Sequence, residues 1–230
     1  MEHQLISPAI LYWGTPVVLI TTENDDGSSN IMPMSSAWWL GYRCMAGIVT
    51  GSHTFCNIMR TKQCVLNLPD ASMAHFLNPI ARTTGSEHMT PDKSDRGYKY
   101  CKDKWALSGM TPDDSMFVAP PRIKQCPVQM EAELIAVHTM MGDMDFPIKG
   151  AMSALELRIL RVYVDPKIKM EGYDNRVDPD KWCPMIMSFQ ELYGLDNRKI
   201  VHSSLGEIEE EKYRLFTDTK IPKDTDTVSH

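Results

Sequence analysis

No stretch of the 230-residue chain approaches the ~18 consecutive apolar residues that a membrane-spanning helix needs, so a soluble protein is expected. Neither a basic segment nor a long apolar run precedes Pro8 and Pro16, and no secretory leader is read there. Lysine and arginine never form a run, and a net charge of −6 argues against nucleic acid or an anionic membrane as the main partner. Cys44, Cys56, Cys64, Cys101, Cys126 and Cys183 make no CxxC pair, which points to a reduced, cytoplasmic protein. His53, His75, His88, His138 and His202 lack the HxxxH or HExxH spacing of a zinc site, so no metal is expected. There is no Gly-x-Gly and hence no Rossmann fingerprint. No Ser/His/Asp or paired-carboxylate arrangement is visible either, so no catalytic side chain is assigned. A small molecule is the ligand class that remains.

What the chain does have is an apolar content of 43 %, enough to bury a full core in one β-rich domain. Its 17 methionines either fill gaps in that core or contact a flat aromatic ligand, two uses that suit a flexible, polarizable side chain.

Residues 16–69 are the most informative stretch. Residues 16–22 (PVVLITT) form the continuous apolar run of a strand buried on both faces, and residues 23–27 (ENDDG) supply a tight turn tolerant of left-handed backbone. Residues 29–39 return as a second strand, with Pro33 in its middle and small polar residues where branched ones are usual. Proline cannot donate to a ladder, so this strand is either a bulged edge or interrupted. An interruption leaves backbone groups and the Ser35 and Ser36 hydroxyls free for a planar polar ligand. Residues 43–50 give a third strand, ended by Gly51. A helix over residues 53–60 then starts with Ser52 as N-cap and no acid in its first turn, which fits an ordinary capped helix or an anion site.

Further on, residues 63–68 read as a fourth strand, and residues 71–82 as one amphipathic helix that packs Met73, Phe76, Leu77 and Ile80 on the barrel. Residues 83–104 are a loop or short helix around Tyr98 and Tyr100, of a length often tied to function. Residues 107–121 are extended. In residues 126–140, Val128, Met130, Ala132 and Leu134 alternate with Gln129, Glu131 and Glu133, as in a long half-exposed strand. Residues 153–165 repeat this, with Leu155, Leu157 and Ile159 opposite Glu156 and Arg158. Ile6, Ile10, Leu11 and Tyr12 suggest an N-terminal segment packed on the barrel. Beyond Leu205 the composition turns acidic and then polar, which divides the chain into a domain at 1–205 and an extension at 206–230. Antiparallel meanders with helices inserted at one end suggest a β-barrel with helical flaps.

The succession PVVLITT, DDG, SNIMPMSS, GSHTFCNI and VLNLP, then DKWALSGMTP and PPRIKQCPVQMEAEL, resembles the flavin reductase-like family of FMN-binding split β-barrel proteins. A weaker match in DPDKWCPMIMSFQELYGL extends the resemblance over most of residues 14–195. It implies a mainly β fold with helices (α+β): a six-stranded antiparallel Greek-key split β-barrel with helical flaps, usually a homodimer, with FMN in a groove near the dimer interface. Carried over residue by residue, Asn30, Met32, Pro33, Met34, Ser35 and Ser36 would line the flavin. Ser52, His53, Thr54 and Asn57 would stand near its ribityl phosphate. In one departure, a Ser-x-Asp-Pro-Pro turn common in the family is replaced here by Gly41, Tyr42, Arg43 and Cys44. The implied function is an oxidoreductase that takes hydride from NAD(P)H onto bound flavin and passes electrons to an acceptor or a monooxygenase partner. The alternative is a non-catalytic flavin-binding or electron-carrier protein on the same barrel. Trp38, Trp39 and Trp182, aromatics that a small barrel leaves exposed, fit the implied homodimer.

Overall fold

The computed structural model describes residues 3–196 and 198–214. Strands β1 (Trp13–Pro16), β2 (Val18–Glu23), β3 (Ser29–Met34), β4 (Ala37–Leu40) and β5 (Arg43–Val49) precede helix α1 (His53–Thr61) and strand β6 (Gln63–Leu68). Helix α2 (Ala74–Leu77) follows, then the two-residue strands β7 (Thr83–Thr84) and β8 (Lys99–Tyr100) on either side of helix α3 (Pro91–Asp95). Helix α4 (Lys104–Ser108) and the short pair β9 (Pro112–Asp113) and β10 (Arg122–Ile123) lead into two long strands, β11 (Val128–Thr139) and β12 (Met152–Val164). A hairpin of β13 (Met185–Ser188) and β14 (Glu191–Gly194) comes last among the strands.

The fold is mostly β with some helices. The main sheet is antiparallel, with seven strands in the order β3-β2-β6-β11-β12-β5-β4 rather than the six expected. The seventh arises because the strand read over 29–39 breaks at Ser35 and Ser36. Its first half, β3, pairs with β2 at one edge, and its second half, β4, pairs with β5 at the other. Two residues of chain therefore join the two edges, and the sheet rolls up on itself. Its interior is one apolar cluster fed by Val18 and Ile20 of β2, Cys44 and Ala46 of β5, Leu66 of β6, Ala132 of β11 and Leu155 and Leu157 of β12. Pro33 sits opposite Leu19 in the edge pair, where a missing N–H is tolerated, and the interruption falls two residues later. At the crossing the Gly47 N–H donates to the Ser36 carbonyl at 2.7 Å. A Cβ on Gly47 would lie 3.2 Å from that of Ser36, a tight contact that a bare backbone at the crossing avoids.

β2 is buried on both faces, as expected, because Val17 and Leu19 point into a second cluster with Ile31, Met73, Leu77, Ile80, Ile123 and Met185. The helix expected over 71–82 is instead a chain of short turns: 3₁₀ at Ala71–Met73, α2, and 3₁₀ at Asn78–Ile80. Pro79 lacks the N–H that a continuous helix would use there, yet Met73, Leu77 and Ile80 still reach the core. β11 also departs from the half-exposed reading. The segment between β9 and β11 covers its outer face, so Gln129 and Glu131 are buried. Leu11 and Ile6 are exposed, against expectation, while Ile10 is half-buried and the segment joins a sheet only at β1, which pairs with β13. Of the C-terminal extension, residues up to 214 are described and 215–230 lie outside the described residues. Its described part is joined to the domain by ion pairs from Arg176 to Glu209 and Glu210.

Candidate functional site

A cleft of about 560 Å³ opens where the β3–β4 break, the start of α1, residues 81–104 and the β13–β14 hairpin meet. All of the expected site residues except Asn57 line it: Asn30, Met32, Pro33, Met34, Ser35, Ser36, Ser52, His53 and Thr54. They converge because α1 is locked onto the β2–β3 hairpin. Arg60 near its end pairs with Asp25 at 2.6 Å, and Asn57 donates to Thr22 Oγ1 at 3.1 Å and Asn24 Oδ1 at 2.9 Å. Asn57 thus works one layer behind the cleft, positioning the helix.

Ser52 caps α1, its hydroxyl accepting from the Phe55 N–H at 3.4 Å, and the first turn carries no acid. Thr54 is buried, and its hydroxyl accepts from Asn30 Nδ2 at 3.0 Å, which leaves its own O–H free to donate. His53 lines the cleft beside them. Its Nε2 lies 2.8 Å from Asn24 Oδ1, an acceptor already, so that nitrogen is held as a donor to Asn24 rather than turned to a ligand. Burial, reinforced by the charge of Lys104, lowers its pKa and favours the neutral ring. Gly85 closes the cradle, since a Cβ there would stand 2.5 Å from His53 Cδ2 and 2.8 Å from Asn30 Oδ1.

Several lining residues were not legible in the sequence. Arg82, Lys93, Arg96 and Lys104 give the cleft a cationic wall, and among the described residues no Asp or Glu lines it. Lys104 is 2 % exposed, and its Nζ donates to the Ile31 carbonyl at 2.8 Å. Burial pulls its pKa down to about 8. Helix α4 carries it there, capped by Asp103 and tied to β3 by a 2.9 Å bond from Trp105 Nε1 to Ser29 Oγ. A second wall is apolar and aromatic, with Tyr12, Met187 and Phe189 beside Met32 and Met34. Phe189 holds a left-handed φ of 52°, its N–H donating to the Tyr12 carbonyl at 2.6 Å and its ring meeting Trp13 edge-on at 4.9 Å. Nothing local in the sequence marks Gly85, Lys93 or Phe189. Lys104 lies inside DKWALSGMTP, where an Asp cap and a closing Gly109 signal a short helix but not its burial.

Such a cleft suits a ligand with a flat ring and an anionic end. Among the described residues no group of three or more His, Cys, Asp or Glu side chains is placed to hold a metal ion. No helix of the described residues is long and apolar enough to cross a membrane. A rolled antiparallel sheet with a cleft at its broken strand is the architecture of a split β-barrel. The chain belongs to the flavin reductase-like domain family, whose model matches residues 12–176. It is 36 % identical over 190 residues to a Bacillus subtilis (strain 168) protein named Uncharacterized protein YdfE, covering 83 % of this chain and 88 % of that one. Among solved structures it is similar to flavoredoxin of Desulfovibrio vulgaris (Miyazaki F), with TM-score 0.67, 19 % identity and coverage of 89 % of this chain and 97 % of that one. It is also similar to nitrilotriacetate monooxygenase component B from Bacillus cereus, with TM-score 0.64, 16 % identity and coverage of 84 % and 89 %. Family membership supports a flavin-related oxidoreductase function with a flavin as the bound group.

Proposed function

We propose that the chain binds FMN in this cleft and acts as an NAD(P)H:flavin oxidoreductase, handing electrons to an acceptor or to a monooxygenase partner. The observation that carries this reading is the pairing of a wall of cations, of which Arg96 is paired with Asp92, with an apolar, aromatic wall in a single cleft. FMN, when bound, supplies the hydride-accepting chemistry, while the protein binds, orients and tunes it. On this reading the Thr54 hydroxyl and the free N–H groups of the first turn of α1 hold the phosphate. The broken strand from Pro33 to Ser36 lies along the ring, where the Ser35 and Ser36 hydroxyls stabilise negative charge that develops at its pyrimidine edge. With no Rossmann motif, the nicotinamide donor stacks on the open ring face. The second reading is a non-catalytic flavin-binding or electron-carrier protein on the same barrel. Steady-state NADH and NADPH oxidation with and without added FMN separates the two. Flavin-dependent turnover supports the reductase, and flavin binding without turnover supports the carrier.

A cytoplasmic homodimer completes the proposal. Trp38 is 56 % exposed on β4, and Leu40, Val49 and Met152 on β4, β5 and β12 are exposed as well, an apolar surface suited to a second copy. Trp39 and Trp182 are half-buried and contribute less. Light scattering should report twice the chain mass, and a flavin-loaded monomer at micromolar concentration contradicts the dimer. All six cysteines are free thiols, which suits a reducing compartment. The domain at 1–205 carries the whole assignment, so truncation after Leu205 should leave flavin binding intact.

A further inference from the structure

Among the described residues, the segment 86–98 that carries helix α3 is hydrogen-bonded to the rest of the protein only at its neck. There β7 and β8 run side by side, the Lys99 N–H donating to the Arg82 carbonyl at 3.0 Å and the Cys101 N–H to the Thr84 carbonyl at 2.9 Å. The neck itself is fixed, because Lys102 just beyond it pairs with Asp26 at 3.0 Å and Lys104 donates to the Ile31 carbonyl at 2.8 Å. Past the neck the bonds stay within the segment: the Ser94 N–H donates to the Thr90 carbonyl at 3.1 Å, Arg96 to Asp92 at 3.2 Å and Tyr98 to Lys93 at 3.0 Å. Helix α3 has no buried residue. A helix this short is marginal by itself and draws its stability from packing, so the segment is among the parts of the molecule that open at least cost.

The charges of this segment are sorted. Lys93 and Arg96 line the cleft, whereas Asp92 and Asp95 of the same helix do not and are exposed. Asp92 pairs with Arg96, but Lys93 has no carboxylate partner among the described residues. Its charge acts instead on His53 and Lys104, which line the same cleft, and it disfavours the protonated form of both. Like charges that face each other push apart, and a plain solvated turn gives no reason to aim its unpaired cation at another. We propose that residues 86–98 are a lid on the cleft, tilted outward by repulsion between Lys93 and the cations of the cleft and drawn shut when an anionic ligand neutralises them. Closure retains the ligand, and opening sets how fast it leaves. The flavin reading enters only as the identity of the anion, the phosphate of FMN.

The test follows tryptic cleavage after Arg96 by mass spectrometry, in wild type and Lys93→Gln, with a thermal melt of each and the rate scaled to that of an unstructured peptide. Saturating FMN should slow the wild-type cut at least about tenfold and saturating riboflavin less than about twofold, because a protease reads how often the segment opens. Without ligand, Lys93→Gln should be cut at least about twofold more slowly than wild type, since the repulsion is gone. Loss of a mere surface contact would leave that rate unchanged or raise it. Equal protection by the two flavins, no protection by either while both are bound, or a variant cut as fast as wild type overturns the lid. Wild-type protein that binds no flavin refutes the flavin reading instead. The lid is then judged with inorganic pyrophosphate, where slower cleavage supports it and an unchanged rate overturns it. Should Lys93→Gln not fold, the wild-type comparison of FMN with riboflavin decides alone.

Discussion

Two charged side chains are buried among the described residues, and the chain treats them in opposite ways. Glu131 on β11 is fully buried, and its oxygens accept from the N–H groups of Met116 at 2.9 Å and Phe117 at 2.6 Å and from the Tyr163 hydroxyl at 2.6 Å. Lys104 is as deeply placed but has a single neutral acceptor. Desolvating a charge costs several kcal/mol unless hydrogen bonds and charges around it offset the loss, and of the two only Glu131 has a full set among the described residues. Its three donors come from the 115–123 segment and from β12, so satisfying it staples that segment to the barrel. The saturated charge ties two parts of the fold together, whereas the unsaturated one borders the cleft.

The contrast breaks most visibly at Glu131. Replacing it by Ala strands three donors, and we expect chemical denaturation to show a loss of ~3–5 kcal/mol with flavin affinity of the folded protein unchanged. A loss under about 1 kcal/mol would mean that the staple is ornamental. At the cleft, Gly85→Ala drives a Cβ into His53 and Asn30, and overpacking of this kind costs ~1–3 kcal/mol. Here the damage should appear as at least about tenfold weaker flavin binding, since ~1.4 kcal/mol is a factor of ten. Thr54→Ala removes a hydroxyl assigned to the phosphate and should weaken FMN by ~10- to 100-fold while riboflavin hardly changes. An ordinary helix residue would instead lower the melting temperature and leave FMN affinity alone.

The smallest effect is one of pH. Burial sets the Lys104 pKa at about 8, below the ~10.4 of a lysine in the unfolded chain. Between those values the unfolded chain binds the extra proton, so stability rises with pH. Below that window the ammonium is charged in both states and its burial cost is felt in full. The stability of wild type relative to Lys104→Met should therefore rise across the window by roughly 1–3 kcal/mol. Denaturant midpoints of the two proteins at several pH values check this.

The barrel was legible in the sequence because period-two alternation survives translation into structure. Leu155, Leu157 and Ile159 point inward as their spacing implies, and the continuous run at 16–22 is buried on both sides. Pro33 announced the anomaly in the second strand but not its outcome, because whether a strand bends, bulges or changes edges depends on partners far along the chain. The burial of Glu131 was hidden for a similar reason: its spacing says only that it faces away from the barrel interior, and the cover comes from a segment without periodicity. Much the same holds at the site. The cap at Ser52 and the hydroxyls around it are local signals and were read. Gly85, Lys93, Lys104 and Phe189 arrive from separate segments, and only the tertiary arrangement brings them to one cleft.

The most direct test of the central claim, that this cleft is built for a flat ring carrying a phosphate, is the ratio of FMN to riboflavin affinity for the unmodified chain. The two ligands share the ring system and differ in the phosphate, so the ratio isolates the anionic end of the cleft. We expect FMN to bind at least about tenfold more tightly at neutral pH, the contribution of one charge-assisted hydrogen bond. Equal affinity for the two flavins would contradict the account.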